Sequence, residues 1–155
     1  GVGGHCIAVD PWFIVDSAPD DTPLIQAARD VNDGRPARIA DAVRAAAGER
    51  RNVCCLGLAY KADIDDLRES ASVAVVELLA DDGFDVSVVE PHIGKLPKPL
   101  AGRTNVRLVD LDQGLGKNDV VVLLTDHRAF RELDGVRLAN KTVIDTRGAW
   151  RSNRA

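Results

Sequence analysis

The chain contains no methionine. Because it also opens at Gly1, inside a motif, it is expected to be a piece of a longer protein. Basic residues are in the minority: 20 Lys and Arg stand against 24 Asp and Glu, with a formal net charge of −4 and a pI near 5.3. That balance argues against a nucleic-acid binder, which usually carries a basic face. No run of about 18 apolar residues occurs, so no membrane-spanning helix is expected. The first residues lack the charged-then-apolar layout of a signal peptide. The cysteines are three, an odd number, and Cys54 adjoins Cys55. A disulfide framework is therefore not expected, and a cytoplasmic, reducing setting fits better. His5, Cys6, Cys54 and Cys55 show no C-x-x-C or metal-type spacing, so no metal site is expected. Internal repeats and low-complexity segments are missing as well.

What is present is a hydrophobic content of 45%, enough for the core of one domain or of one domain plus a fragment. Phe13-Ile14-Val15 is a short apolar run, and Ser17 to Asp21 reads as a loop with a helix start signal. From Pro23 the spacing of Leu24, Ala27, Ala28 and Val31 is helical. Gly34 and Pro36 predict a break, Ile39, Val43 and Ala46-Ala47 resume the period, and Gly48 reads as a stop. Residues 23–48 are thus expected to form a helical arm that either packs on its own chain or makes a subunit interface.

Residues 51–148 alternate as βαβ units do. Strands are predicted at Asn52–Leu58, Phe84–Glu90, Val106–Leu108, Asp119–Thr125 and Lys141–Asp145. Helices are predicted from Ser70 or Ser72 to Gly83, near Leu111–Gly116, and as one turn at His127–Glu132. Pro91–Thr104 reads as a loop and Arg151–Ala155 as a polar tail. Cys54 and Cys55 fall inside the first strand and are expected to be core residues. The expected fold class is α/β: a Rossmann-like parallel sheet with helices on both faces, preceded by the helical arm. Residues 1–49 would hold the cysteine loop and arm, and residues 50–155 the sheet domain.

In such a sheet, ligands gather beyond the carboxyl ends of the strands. The Lys61–Ser70 loop, Glu90-Pro91-His92, Asp126-His127 and Arg147 are expected there. The turn Leu56-Gly57-Leu58-Ala59-Tyr60-Lys61 has only one glycine of the G-x-G-x-x-G pattern and is not a dinucleotide fingerprint. Glu90 stands where a ribose-binding acid would, but without the glycines. Lys61, Arg68 and Arg147 could neutralise a pyrophosphate, or could be solvated charges paired with Asp63, Asp65, Asp66 and Glu69.

The chemistry-bearing stretch is the first: Gly1-Val2-Gly3-Gly4-His5-Cys6-Ile7-Ala8-Val9-Asp10-Pro11-Trp12-Phe13. Glycines around a cysteine allow a tight turn on which the thiol is exposed and served by backbone N–H groups. Under those conditions a thiolate becomes a nucleophile. The alternative is an inert thiol buried in a turn.

This run resembles, over thirteen consecutive positions, the catalytic-cysteine segment of the UDP-glucose/GDP-mannose dehydrogenase family, in its branch that oxidises UDP-N-acetyl-D-mannosamine. Leu56 to Lys61, Asp66-Leu67-Arg68-Glu69-Ser70 and Val143-Ile144-Asp145-Thr146-Arg147 resemble the nucleotide-sugar-binding domain of the same family. The resemblance implies an NAD-dependent 6-dehydrogenase of polysaccharide biosynthesis, of which this is the C-terminal part. Cys6 would add to a sugar aldehyde, and Asp10 would serve the water that hydrolyses the resulting thioester. Gly3, Gly4, His5, Tyr60, Lys61 and Arg147 would contact the UDP-sugar, while Arg68 and Arg147 would reach NAD. The family's N-terminal NAD domain, and the Lys and Asn it places before the cysteine, have no counterpart here. No turnover is therefore expected of this chain alone. The family also implies a homodimer through the helical arm. Two other readings stay open: a stand-alone UDP-sugar-binding module, and a purely structural dimerisation unit.

Overall fold

The computed structural model describes residues 1–150, so the expected tail at 151–155 lies outside the described residues. The fold is built around β1 (Asn52–Leu56), whose Val53, Cys54, Cys55 and Leu56 are all fully buried. A strand that is apolar on both faces belongs at the centre of a parallel sheet covered by helices on each side. The five-stranded sheet has the order β3-β2-β1-β4-β5, where β2 is Asp85–Val89, β3 is Val106–Leu108, β4 is Val120–Leu123 and β5 is Thr142–Asp145. Every neighbouring pair is parallel.

One face carries α3 (Arg35–Ala47) and α4 (Ala71–Asp81). Ala40, Val43 and Ala47 of α3 pack with Val75, Val76 and Leu79 of α4 over Val53, Cys55, Val86 and Val120. On the other face Cys54, Leu56, Val121 and Leu123 pack with Leu115 of α5 (Leu111–Lys117), Phe130 of α6 (Arg128–Arg131) and Trp150. Cys54 and Cys55 therefore point to opposite sides of one strand. Burial raises both thiols, Cys54 to about 12 and Cys55 well above its ordinary value, and both are inert core groups.

Local chemistry sets the helix ends. Ser70 caps α4 by accepting the Ser72 amide at 3.2 Å, and Asp110 caps α5 by accepting the Gln113 amide at 2.7 Å. Lys141 donates to Leu115 O and Asn118 O at the end of α5, where a cation complements the helix dipole. The arm is two helices, α2 (Pro23–Asp33) and α3, broken at Gly34, with Pro36 in the opening turn of the second. Pro fits there because the first amides of a helix have no intrahelical acceptor.

Ahead of the arm lies a helix that the sequence reading left out: α1 (Asp10–Ser17) takes in the Phe13-Ile14-Val15 run. It has no buried residue, and its main contacts are with α2 and the 3₁₀ turn at Pro19–Asp21. A second 3₁₀ turn, Gly135–Leu138, was likewise not foreseen.

Candidate functional site

The registers bring the carboxyl ends of the central strands level: Leu56 pairs with Val89 and Leu123, and Leu123 with Asp145. The chain crosses from the β3 edge back over the sheet to β4, so the switch point of the topology lies between β1 and β4. A crevice for ligands opens at such a point. The residues just beyond these ends converge as the sequence suggested, although most of their bonds are to one another.

Gly57 leaves β1 with φ near +92°, and a Cβ there would come within 2.5 Å of Thr125, so only glycine fits. Leu58 and Ala59 then have both amides and both carbonyls engaged by side chains. Glu90 Oε2 accepts the two amides at 2.7 and 3.0 Å. Ser70 Oγ donates to Leu58 O at 2.6 Å, and Thr125 Oγ1 donates to Ala59 O at 2.6 Å. Since the Thr125 proton is committed, the 3.2 Å contact with Ser72 Oγ has Ser72 as donor.

Glu90 is buried and also accepts His92 N–H at 3.1 Å and His127 Nε2–H at 2.9 Å. Burial pushes its carboxyl up, but these donors outweigh burial and hold it below the usual Glu value. Both oxygens are spent inside the protein. The idea that Glu90 could reach a ribose is corrected: it sits in the amide nest of the β1 turn, where a dinucleotide phosphate would lie in a fingerprint sheet.

The loop after Ala59 carries Tyr60, half-buried, and Lys61, exposed. Among the described residues Lys61 makes no ion pair. The other two cations are paired. Arg68 Nη2 meets Asp66 at 2.6 Å, and Arg147 Nε meets Asp126 at 2.9 Å. Arg147 stands on a turn organised by Asp145, which accepts the amides of Arg147, Gly148 and Trp150 at 2.7–3.0 Å. Tyr60 and Arg147 line one small cavity of about 30 Å³ together with Gly1, Arg35 and Thr146.

The cysteine segment docks on this loop. Gly4 N–H donates to Arg68 O at 3.0 Å. A Cβ at Gly3 would lie 2.4 Å from Glu69 O, and one at Gly4 3.0 Å from the Tyr60 ring, so the glycines permit the approach. Cys6 follows at once and is exposed, the one solvent-facing thiol of the three. Arg68 is held above its ordinary pKa chiefly by hydrogen bonds to Asp66, with Tyr60 and Cys6 adding through space. Cys6 O accepts the amides of Val9 and Asp10 at 2.9 and 2.7 Å, making a helical turn that runs into α1. Residues four apart on such a turn share a face, so Cys6 and Asp10 stand together at the surface. His5 is exposed beside them, near enough to help lower the Asp66 carboxyl.

Sequence reading brought Cys6, Tyr60, Lys61, Arg68 and Arg147 to one end of the sheet. It placed Ser70, Asp126 and His127 at that end as well, but not the bonds they make there, and it gave Asp145 no part in building it. Their signal was a polar residue placed just after, or at the end of, an apolar strand. Among the described residues Asp63, His92 and His127 bring possible metal ligands within 4.8 Å of one another. However, His127 Nδ1 already accepts Asp63 N–H at 2.8 Å while Nε2 serves Glu90, so neither ring nitrogen is free.

Residues 54–152 match the model of the UDP-glucose/GDP-mannose dehydrogenase family, UDP binding domain. The chain is 50% identical over 157 residues to an NDP-N-acetyl-D-galactosaminuronic acid dehydrogenase of Ralstonia nicotianae, covering 99% of this chain and 36% of that protein. It is 44% identical over 162 residues to the UDP-N-acetyl-D-mannosamine dehydrogenase of Escherichia coli, covering 97% and 38%. Its fold matches a UDP-glucose dehydrogenase of the archaeon Pyrobaculum islandicum with a TM-score of 0.85 at 28% identity, covering 100% of this chain and 36% of that one. The chain thus spans little more than a third of the length of these proteins.

Proposed function

This chain belongs to the UDP-glucose/GDP-mannose dehydrogenase family, and from that premise we propose that it is the cysteine-bearing, nucleotide-sugar-binding part of an NAD-dependent UDP-sugar 6-dehydrogenase. The observation that carries the reading is the docking of Gly3-Gly4 on Tyr60 and the Arg68 carbonyl. It holds an exposed thiol at the carboxyl end of the sheet, where ligands gather in sheets of this kind. The functional division falls near residue 49, between the cysteine segment with its arm and the sheet. α3 joins the two by packing on α4.

Lys61, which unlike Arg68 and Arg147 makes no ion pair among the described residues, meets a phosphate of the UDP-sugar, with Tyr60, Arg147 and the backbone of Gly3 and Gly4 alongside and His5 on the sugar side. NAD supplies the hydride acceptor for two successive oxidations. The β1 turn offers it no phosphate bed, because Glu90 fills that place, and Arg68 and Arg147 are the groups this chain would extend to the cofactor. Once the C6 alcohol is an aldehyde, the Cys6 thiolate adds to C6 and the oxygen takes a proton. Transfer of hydride from C6 of that adduct to the nicotinamide acceptor, with the hydroxyl proton released to solvent, leaves a thioester. Asp10 accepts a proton from the water that attacks it, and Cys6 leaves as thiolate with the sugar acid released. Covalent capture keeps the aldehyde from escaping between the two oxidations.

UDP-N-acetyl-D-mannosamine is the proposed substrate. The 50% identity to a galactosaminuronic acid dehydrogenase favours the galactosamine epimer as the second reading. Three free thiols suit the cytoplasm, and no helix of the described residues is long and apolar enough to cross a membrane. A homodimer through the arm is proposed on the exposed apolar side chains of α1 and α2. In the complete enzyme Cys6→Ser should abolish acid formation while leaving UDP binding in place; undiminished acid production removes Cys6 from its role. Tight UDP-sugar binding by the chain with oxidation lost in the complete protein would favour the stand-alone binding module instead.

A further inference from the structure

His127 is a fully buried polar side chain that touches no part of the proposed substrate path. It comes from the start of α6, yet its bonds go to two other segments. Nδ1 accepts Asp63 N–H at 2.8 Å, so the ring proton lies on Nε2 and is donated to Glu90 Oε2 at 2.9 Å. The ring is packed between His92, 4.8 Å away between centroids, and the edge of Phe130 at 5.4 Å. Glu90 in turn holds the amides of Leu58 and Ala59, the first residues of the same loop that Asp63 closes. Asp63 has φ near +59°, a conformation that a non-glycine residue adopts only when its surroundings fix it. Its carboxylate accepts Arg128 N–H at 2.9 Å, tying the loop to α6 a second time. The six-residue loop 58–63 is thus gripped at both ends by one buried pair, and between the grips stand Tyr60 and Lys61.

We propose that Glu90 and His127 are positioning residues for nucleotide-sugar binding, an internal anion and its clamp that hold the loop so that Lys61 is presented to the ligand phosphate. The pair replaces the phosphate that organises this turn in dinucleotide-binding sheets: the carboxylate satisfies the amide nest from within, and the loop is rigid before any ligand arrives. Preorganisation of that kind appears as affinity, because the ligand need not order the lysine's backbone. The proposal rests on the reading that Lys61 meets the UDP-sugar.

The test is a double-mutant cycle on the 155-residue chain, with UDP as probe and calorimetry as readout. Lys61→Ala should weaken UDP about tenfold, the loss of one charge-assisted bond. His127→Phe, which removes both ring nitrogens, should weaken it roughly three- to tenfold, and His127→Gln, which can still donate to Glu90, should recover most of that loss. In the Lys61→Ala background His127→Phe should cost less than about twofold more, since what it positions is gone. Should His127→Phe fail to fold by circular dichroism, the same cycle is run with Glu90→Gln. Fully additive losses, or unchanged UDP binding by the clamp variants, overturn the positioning role and leave the functional reading standing. An unaltered affinity in Lys61→Ala, or no UDP binding by the wild-type chain, overturns that reading and the proposal with it.

Discussion

Arg68 takes both oxygens of Asp66 through Nε and Nη2, at 2.6 to 3.0 Å, and Asp66 also accepts the Arg68 amide. The side-chain bonds to Arg68 come first among the causes that lower the Asp66 carboxyl from 3.8 to about 2. A depressed carboxylate stabilises the fold above its unfolded pKa, and that contribution is lost as pH falls through the folded value. Wild type should therefore be more stable than Arg68→Met at neutral pH, with the difference closing between about pH 4 and pH 2. Urea midpoints across that range check it, and a gap that persists at pH 2 contradicts the assignment. The Arg68 side chain is largely solvent-facing and that of Asp66 is 21% exposed, so added salt should narrow the gap at pH 7 as well. Single residues with strong local context were legible from sequence: two thiols inside an apolar strand had to be buried, and a thiol after three glycines was free to be exposed. Glu90 and His127 were not legible as partners. Their bonds reach Leu58 and Asp63 over 32 and 64 positions, and no local pattern encodes a contact made by folding.

At the scale of elements, α1 was missed because its Phe13-Ile14-Val15 run shows no helical period of buried residues. Its apolar side chains face outward instead, Phe13 at 69% and Ile14 at 51% exposure. The arm was read as one unit with a break, and its two halves have different fates. α3 is committed to the core, with Ala40 and Val43 fully buried, whereas α2 leaves Leu24 82% exposed. Val2, Ile7, Pro11, Leu24 and Ile25 line a cavity of about 320 Å³ along this face. Deleting the whole arm would therefore unfold the sheet domain, and a point substitution is the cleaner probe of the proposed dimer. Leu24→Asp should shift the chain from dimer to monomer by light scattering while leaving the folded circular dichroism spectrum unchanged, because the side chain is solvated in the monomer. A wild-type chain that is already monomeric contradicts the interface. Strand boundaries came out shorter than expected, β1 ending at Leu56 rather than Leu58, because Gly57 turns the chain out of the sheet and Glu90 claims the next amides.

Over the whole molecule the sheet was the most legible feature. Alternating apolar strands and capped helices leave a parallel, doubly covered sheet as the arrangement that buries both faces of β1. What no sequence pattern of this chain supplied is the way its first residues fold back. Gly4 bonds to Arg68 across 64 positions, and that one contact makes a glycine-rich segment part of the candidate site. Thiol labelling reads directly whether the Cys6 sulfur faces a nucleotide-sugar pocket, as proposed above. Native chain treated with iodoacetamide and mapped by mass spectrometry should carry label on Cys6, with Cys54 and Cys55 unlabelled until the protein is denatured. Saturating UDP-N-acetyl-D-mannosamine should slow the Cys6 reaction about fivefold or more by covering the thiol. A Cys6 labelling rate that does not change when the nucleotide sugar is bound would contradict it.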